Sequence, residues 1–199
     1  SSLCWAIGMP LAAVAFCIAP VLLQVLVGGG WLSGQMLQET GTIASIYALG
    51  IPGALYGAIF VPLMFASRNP KMILLFPPLN TGIRWLLLWL LTPVLKQYGP
   101  ATAEVLMNAY TIVAYTIAAS MIIKIRTAKV LTRAARGVGI GVCILAVMYL
   151  LLQLTRPYGP VFAVLTLTAT GLIMIFVTFK IFWRSEYQTV RQAVANFLG

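Results

Sequence analysis

Apolar residues along this chain come in runs of membrane length, separated by short polar stretches. They do not follow the narrower stripe of a half-buried surface helix. A helix needs about 20 mostly apolar residues to cross a bilayer. Six segments come up to that length: Leu3 to Val27, Thr40 to Ala66, Met72 to Leu95, Ala101 to Ile123, Val138 to Leu154 and Val161 to Trp183. In the tail from Arg184 to Gly199, Val190, Val194, Phe197 and Leu198 recur at helical spacing. That pattern predicts a short amphipathic helix on the membrane surface. The expected architecture is an all-α polytopic membrane protein, a bundle of about six transmembrane helices with an amphipathic C-terminal helix.

Composition agrees with the pattern and charge refines it. The chain is 61% hydrophobic and 8% charged, with a mean hydropathy of +0.99, whereas soluble domains carry roughly 25% charged residues. A net charge of +10 would point to nucleic acid in a soluble protein. Here the cations sit at segment ends, which is what anionic headgroups select. Arg68, Lys71, Lys124, Arg126, Lys129, Arg133, Arg136, Lys180, Arg184 and Arg191 fall on one side, and only Lys96 and Arg156 on the other. Cytoplasmic loops retain Lys and Arg, so both chain ends are expected in the cytoplasm, and nucleic acid is not an expected partner.

The residue inventory removes most chemistry. There is no His, and the three acids are Glu39, Glu104 and Glu186. Serine-hydrolase triads, His-based metal sites and paired-carboxylate hydrolysis lack their parts. Cys4, Cys17 and Cys143 stand alone in apolar runs without CxxC spacing, so they are read as small buried hydrophobes. The Gly-Val-Gly-Ile-Gly run at 137–141 follows no strand and is read as a close helix-packing surface. Neither an enzyme, a metal nor a cofactor is expected.

Arg84 belongs to neither charge cluster. It lies near the middle of the third segment, where a cation costs at least about 2.5 kcal/mol and so faces a bundle interior or wet cavity. A guanidinium there matches a lipid phosphate or diphosphate. Snorkelling beside Trp85 and Trp89 is the alternative, which a break at Pro77-Pro78 would favour. Asn80 lies one turn away on the same helix. Glu104 sits about one turn inside the fourth segment, and Asn108 one turn deeper. A direct Arg84–Glu104 pair is not expected, because at 1.5 Å per residue their depths differ by roughly 10 Å. Arg84, Asn80, Asn108 and Glu104 are the candidate substrate-binding residues. Pro10, Pro20, Pro52, Pro62, Pro77 and Pro93 interrupt the segments and allow kinks. Leu91–Pro100 and Leu151–Pro160 echo one another, each ending in a cation and then Tyr-Gly-Pro. This is either a common outer-turn solution or a duplicated helical hairpin.

The order of features is also distinctive: Met9-Pro10, Ala19-Pro20, the Val27-Gly28-Gly29-Gly30-Trp31 turn, Tyr47-Ala48-Leu49-Gly50-Ile51-Pro52, Phe65 to Lys71, Pro78-Leu79-Asn80, and Lys96 to Ala101. Together they resemble the C-terminal half of the lipid II flippases, the MurJ/MviN family of the multidrug/oligosaccharidyl-lipid/polysaccharide flippase superfamily. The resemblance implies transbilayer flipping of an undecaprenyl-diphosphate-linked glycan by alternating access, in peptidoglycan synthesis and at the bacterial inner membrane. It implies that residues 1–136 form four helices of the C-terminal lobe and that 137–183 form two further helices, a possible lipid-tail groove. Residues 184–199 would then form a cytoplasmic tail. The implied partners are membrane lipids, a lipid-linked diphosphate sugar, and a missing N-terminal lobe or partner membrane subunit. The Ser1-Ser2-Leu3 start, directly in an apolar run, is read as the C-terminal part of a longer protein. Three departures from the family pattern stand out: Gly28-Gly29-Gly30-Trp31 replaces a Phe-containing turn, the Thr before Pro70 is missing, and Arg84 occupies a usually uncharged position. They leave open a flippase-derived accessory or structural subunit without transport activity.

Overall fold

The computed structural model describes residues 2–27, 33–66, 70–123 and 127–182. Seven helices run through them: α1 (Ser2–Val27), α2 (Gly34–Ala48), α3 (Ile51–Ala66), α4 (Pro70–Leu95), α5 (Gly99–Ile123), α6 (Thr127–Thr155) and α7 (Pro160–Phe182). No strand occurs among the described residues. The tail from Arg184 to Gly199, with its expected amphipathic helix, lies outside them.

Four stretches are long and apolar enough to cross a membrane: Cys4–Val27, Leu74–Ala118, Thr132–Tyr158 and Pro160–Ile181. The pair Gly34–Ala48 and Ile51–Pro62, bent by 43°, makes a fifth. The 45 residues of Leu74–Ala118 are twice the length of one crossing. They fold back at a 3₁₀ turn, Lys96–Tyr98, into α4 and α5. Counting that hairpin as two antiparallel crossings brings the tally to the six expected.

The second segment is bent for a local reason. Pro52 has no N–H, and its ring excludes a helical carbonyl four residues earlier, at Ala48. The chain therefore tightens at the end of α2, where Leu49 N–H donates to Ile46 O at 3.0 Å and Gly50 N–H to Tyr47 O at 2.9 Å. The next helix starts afresh, with Ala54 N–H donating to Gly50 O. By contrast, α4 continues as helix through Pro77 and Pro78, so no break carries Arg84 toward an interface. Both α2 and α6 begin earlier than the apolar runs. Ser33 caps α2, its hydroxyl accepting from Met36 N–H, and α6 starts at Thr127, inside the basic stretch. Hydropathy marks where a helix enters hydrocarbon, not where its hydrogen bonds begin.

Helix α1 is the hub, packing against α2, α3, α6 and α7. Ala13, Val14 and Cys17 of α1 meet Ile144 and Met148 of α6 and Leu167 of α7 in one apolar core. A second cluster joins Cys4 to Tyr56 and Phe60 of α3 and Tyr115 of α5. The glycines at 137 and 141 do bring helices together: a methyl at Gly137 would lie 3.1 Å from Trp5 Cβ, and one at Gly141 3.2 Å from Met9 Cβ. Small side chains there let α6 lie closely against α1.

A polar cavity between α4 and α5

The candidate residues come from two antiparallel helices and share one space. Asn80, Thr81 and Arg84 of α4, with Glu104, Met107, Asn108 and Thr111 of α5, line a cavity of ≈ 220 Å³. The spacing explains the grouping: 80 and 84, like 104 and 108, are four apart and lie on one helix face.

Arg84 and Glu104 form an ion pair, contrary to the expectation from depth. Arg84 Nε donates to Glu104 Oε2 at 3.0 Å, and Nη2 donates to the same oxygen. The reason lies in the turn. Gly99, the first residue of α5, is not stacked above Leu95 but tucked beside Thr92, whose Cα would be 2.6 Å from a methyl placed on Gly99. Measured from that level, Arg84 is eight residues down α4 and Glu104 five residues down α5. At 1.5 Å per residue the mismatch is about 4.5 Å, within reach of an arginine side chain. The Arg84 side chain is 53% exposed and that of Glu104 29%. Trp85 and Trp89 point outward from the bundle, at 69% and 74% exposure, and neither shelters the guanidinium. The charge is therefore compensated within the protein, which offsets much of the cost of holding a cation at this depth.

The pair is incomplete in a useful way. Both donors converge on Oε2, so Glu104 Oε1 and Arg84 Nη1 have no partner among the described residues. One turn along α4, Asn80 Nδ2 donates to Tyr115 Oη at 3.2 Å, while its Oδ1 is buried without a donor. The hydroxyls of Thr81 and Thr111 donate to their own helices, at Pro77 O and Met107 O. This leaves oxygen lone pairs as what they can offer the cavity. Asn108 is fixed by packing, because α3 crosses α5 at this residue. A methyl on Gly53 would sit 2.5 Å from Asn108 Cβ and 2.6 Å from its carbonyl oxygen, so only glycine permits the approach. Further along α5, Tyr56 Oη and Thr116 Oγ1 share a hydrogen bond of 2.8 Å that ties α3 to the same helix.

The structure thus brings together all four residues singled out from the sequence. It adds Thr81, Met107 and Thr111 to the lining and Tyr115 as the group that orients Asn80. Tyr115 lies seven residues from Asn108, two helical turns along one face of α5, a signal that was available in the sequence. The arrangement offers one guanidinium edge and one carboxamide as donors, with a carboxylate and several oxygens as acceptors.

Fold and cavity together define a polytopic, all-α membrane protein with an ion-paired polar site between two of its crossing helices. No family model and no solved structure matches the chain. Over 97 residues, 49% of this chain, it is 28% identical to the probable lipid II flippase MurJ of Rhizobium meliloti (strain 1021). The matched stretch spans 18% of that protein's length.

Proposed function

We propose that the protein takes part in transbilayer movement of a lipid-linked diphosphate glycan in a bacterial inner membrane, with lipid II or a related polysaccharide lipid as substrate. The likeness to a probable lipid II flippase carries this reading. The cavity supplies a site for it. Arg84 Nη1 and the Asn108 amide would donate to phosphate oxygens, and Glu104 would act as an internal counter-ion that yields as the diphosphate arrives. Exchange of a carboxylate for a phosphate keeps the guanidinium paired throughout. The cavity of ≈ 220 Å³ suits a small anionic group, and the glycan would need space shared with a second lobe or partner subunit.

One observation favours a second reading, an accessory or structural subunit: Glu104 already neutralises the charge of Arg84, as a purely structural pair would. The two readings part in the double variant Arg84→Gln/Glu104→Gln, which removes both charges and orphans neither. In vesicles containing the intact protein and a fluorescent diphosphate-linked lipid, the transport reading expects translocation to fall by roughly tenfold or more, the worth of a lost charge-assisted bond. Unchanged translocation by a folded double variant rejects a transport role for the site. No translocation by the unaltered protein, with or without its partner, leaves the accessory reading standing.

A further inference from the structure

A second and larger cavity, of ≈ 300 Å³, opens where α1, α6 and α7 end near the Arg156–Tyr158 turn. Its polar lining is Gln24, Tyr149, Gln153 and Arg156, and its apolar wall includes Val21 and Leu152. No carboxylate lines it. The Arg156 guanidinium makes no ion pair or hydrogen bond among the described residues; Glu39, on α2, accepts instead from Gln35. The gap is held open by the backbone. Gly159 turns the chain at φ 97 and leaves open space where its side chain would be, so α7 starts apart from α6.

From this geometry we infer that the cavity is a binding site for the phosphate of an anionic amphiphile, seated at headgroup depth. The chemistry is specific in kind. A guanidinium and two carboxamides present donors to phosphate oxygens, with a phenol beside them. The apolar wall receives the carbons next to the phosphate. Gln24 is three residues from the end of α1 and Gly159 immediately precedes α7, which puts the donors within about one helical turn of the bundle's end. That depth suits a lipid headgroup. A soluble phosphate ester offers the same oxygens but lacks the acyl chains. The inference is independent of the transport proposal and concerns different residues.

The test uses the intact protein in zwitterionic detergent, its melting temperature followed as ligand is added, with native mass spectrometry as a second readout. Three probes are compared: phosphatidylglycerol, phosphatidylcholine and inorganic phosphate. Phosphatidylglycerol should stabilise the protein and phosphatidylcholine should not. Arg156→Gln should weaken phosphatidylglycerol binding roughly tenfold, the value of a charge-assisted contact. Arg156→Lys, which keeps the charge but loses the fork, should weaken it less. Lys96→Gln, which removes the corresponding cation of the other hairpin, should leave binding unchanged. Equal losses in Lys96→Gln and Arg156→Gln would mean diffuse surface electrostatics and overturn the site, as would unaltered binding in Arg156→Gln. Stabilisation by inorganic phosphate alone, abolished in Arg156→Gln, would keep the phosphate site but assign it to a soluble ester.

Discussion

Two hairpins in this protein, α4–α5 and α6–α7, are closed by nearly the same words: a cation, a 3₁₀ turn ending in Tyr, then Gly-Pro at the start of the next helix. They reverse the chain at different residues. In the first hairpin Lys96 takes the left-handed conformation at φ 50, while Gly99 is helical and buried against Thr92. In the second Gly159 itself takes positive φ, at 97, and a methyl there would meet no atom. The consequences run down each hairpin. Helices α4 and α5 lie against one another closely enough for Arg84 to reach Glu104. Helices α6 and α7 part at the turn, leave a cavity, and pack chiefly on α1. The motif specifies a tight exit from a helix, and the residue that carries the positive φ decides how near the two arms come.

If the ion pair is what the close hairpin makes possible, breaking it should have the largest effect. Glu104→Leu leaves Arg84 without its anion and should destabilise the protein by about 2 kcal/mol, less than for a fully buried pair because Arg84 is half exposed. The double variant Arg84→Leu/Glu104→Leu should recover most of that loss, since apolar replacements leave no orphan. Denaturant titration of the purified protein measures both. A double variant no more stable than Glu104→Leu alone would show that the pair does not hold α4 to α5.

The turn glycines come next, and the comparison predicts different mechanisms at equivalent positions. Gly99→Ala drives a methyl into the Thr92 backbone, which cannot rotate away, and should cost about 1.5 kcal/mol. It should also loosen the Arg84–Glu104 pair, so adding Gly99→Ala to Arg84→Leu/Glu104→Leu should cost less than adding it to the unaltered protein. Gly159→Ala meets no atom but must adopt φ 97, ψ 160, a region that side chains avoid, for about 1 kcal/mol. That cost should be the same in both backgrounds. Equal coupling at the two sites would mean that the two turns hold their helices in the same way.

Much of this was legible beforehand, for physical reasons. Membrane helices announce themselves because every backbone group must bond within its own segment, so apolar run length reports crossing. The candidate site was legible too: Asn80 and Arg84, Glu104 and Asn108 are intramembrane polar residues four apart, and the cost of such residues makes them conspicuous. What the sequence did not reveal was level. The expected 10 Å offset between Arg84 and Glu104 assumed that α5 begins above the end of α4. A single left-handed residue lowers α5 beside Thr92 instead, and no hydropathy pattern encodes that. The bend at Ala48–Ile51 was readable from Pro52, whereas the contact of Gly53 with Asn108 needed three-dimensional packing. Helix starts at Gly34 and Thr127 were missed because polar turns outside the hydrocarbon contribute nothing to an apolar run.

The smallest expected effect is the most discriminating. Lys96 holds φ 50, a conformation that costs a side-chain-bearing residue about 1–2 kcal/mol relative to glycine. Lys96→Gly removes that strain, and the added freedom of glycine in the unfolded chain takes back about 0.4–1 kcal/mol. The net should be a gain of about 0.5 kcal/mol, read as a small rise in the denaturation midpoint. Arg156→Gly, at the matching place in the other turn, has no such strain to relieve, since the positive φ there belongs to Gly159. It should give the loss expected when glycine frees the unfolded chain. Opposite signs at two positions that the sequence aligns would establish that the two turns are built differently. The same sign at both would mean that Lys96 bears no strain and that another residue brings α5 down beside α4.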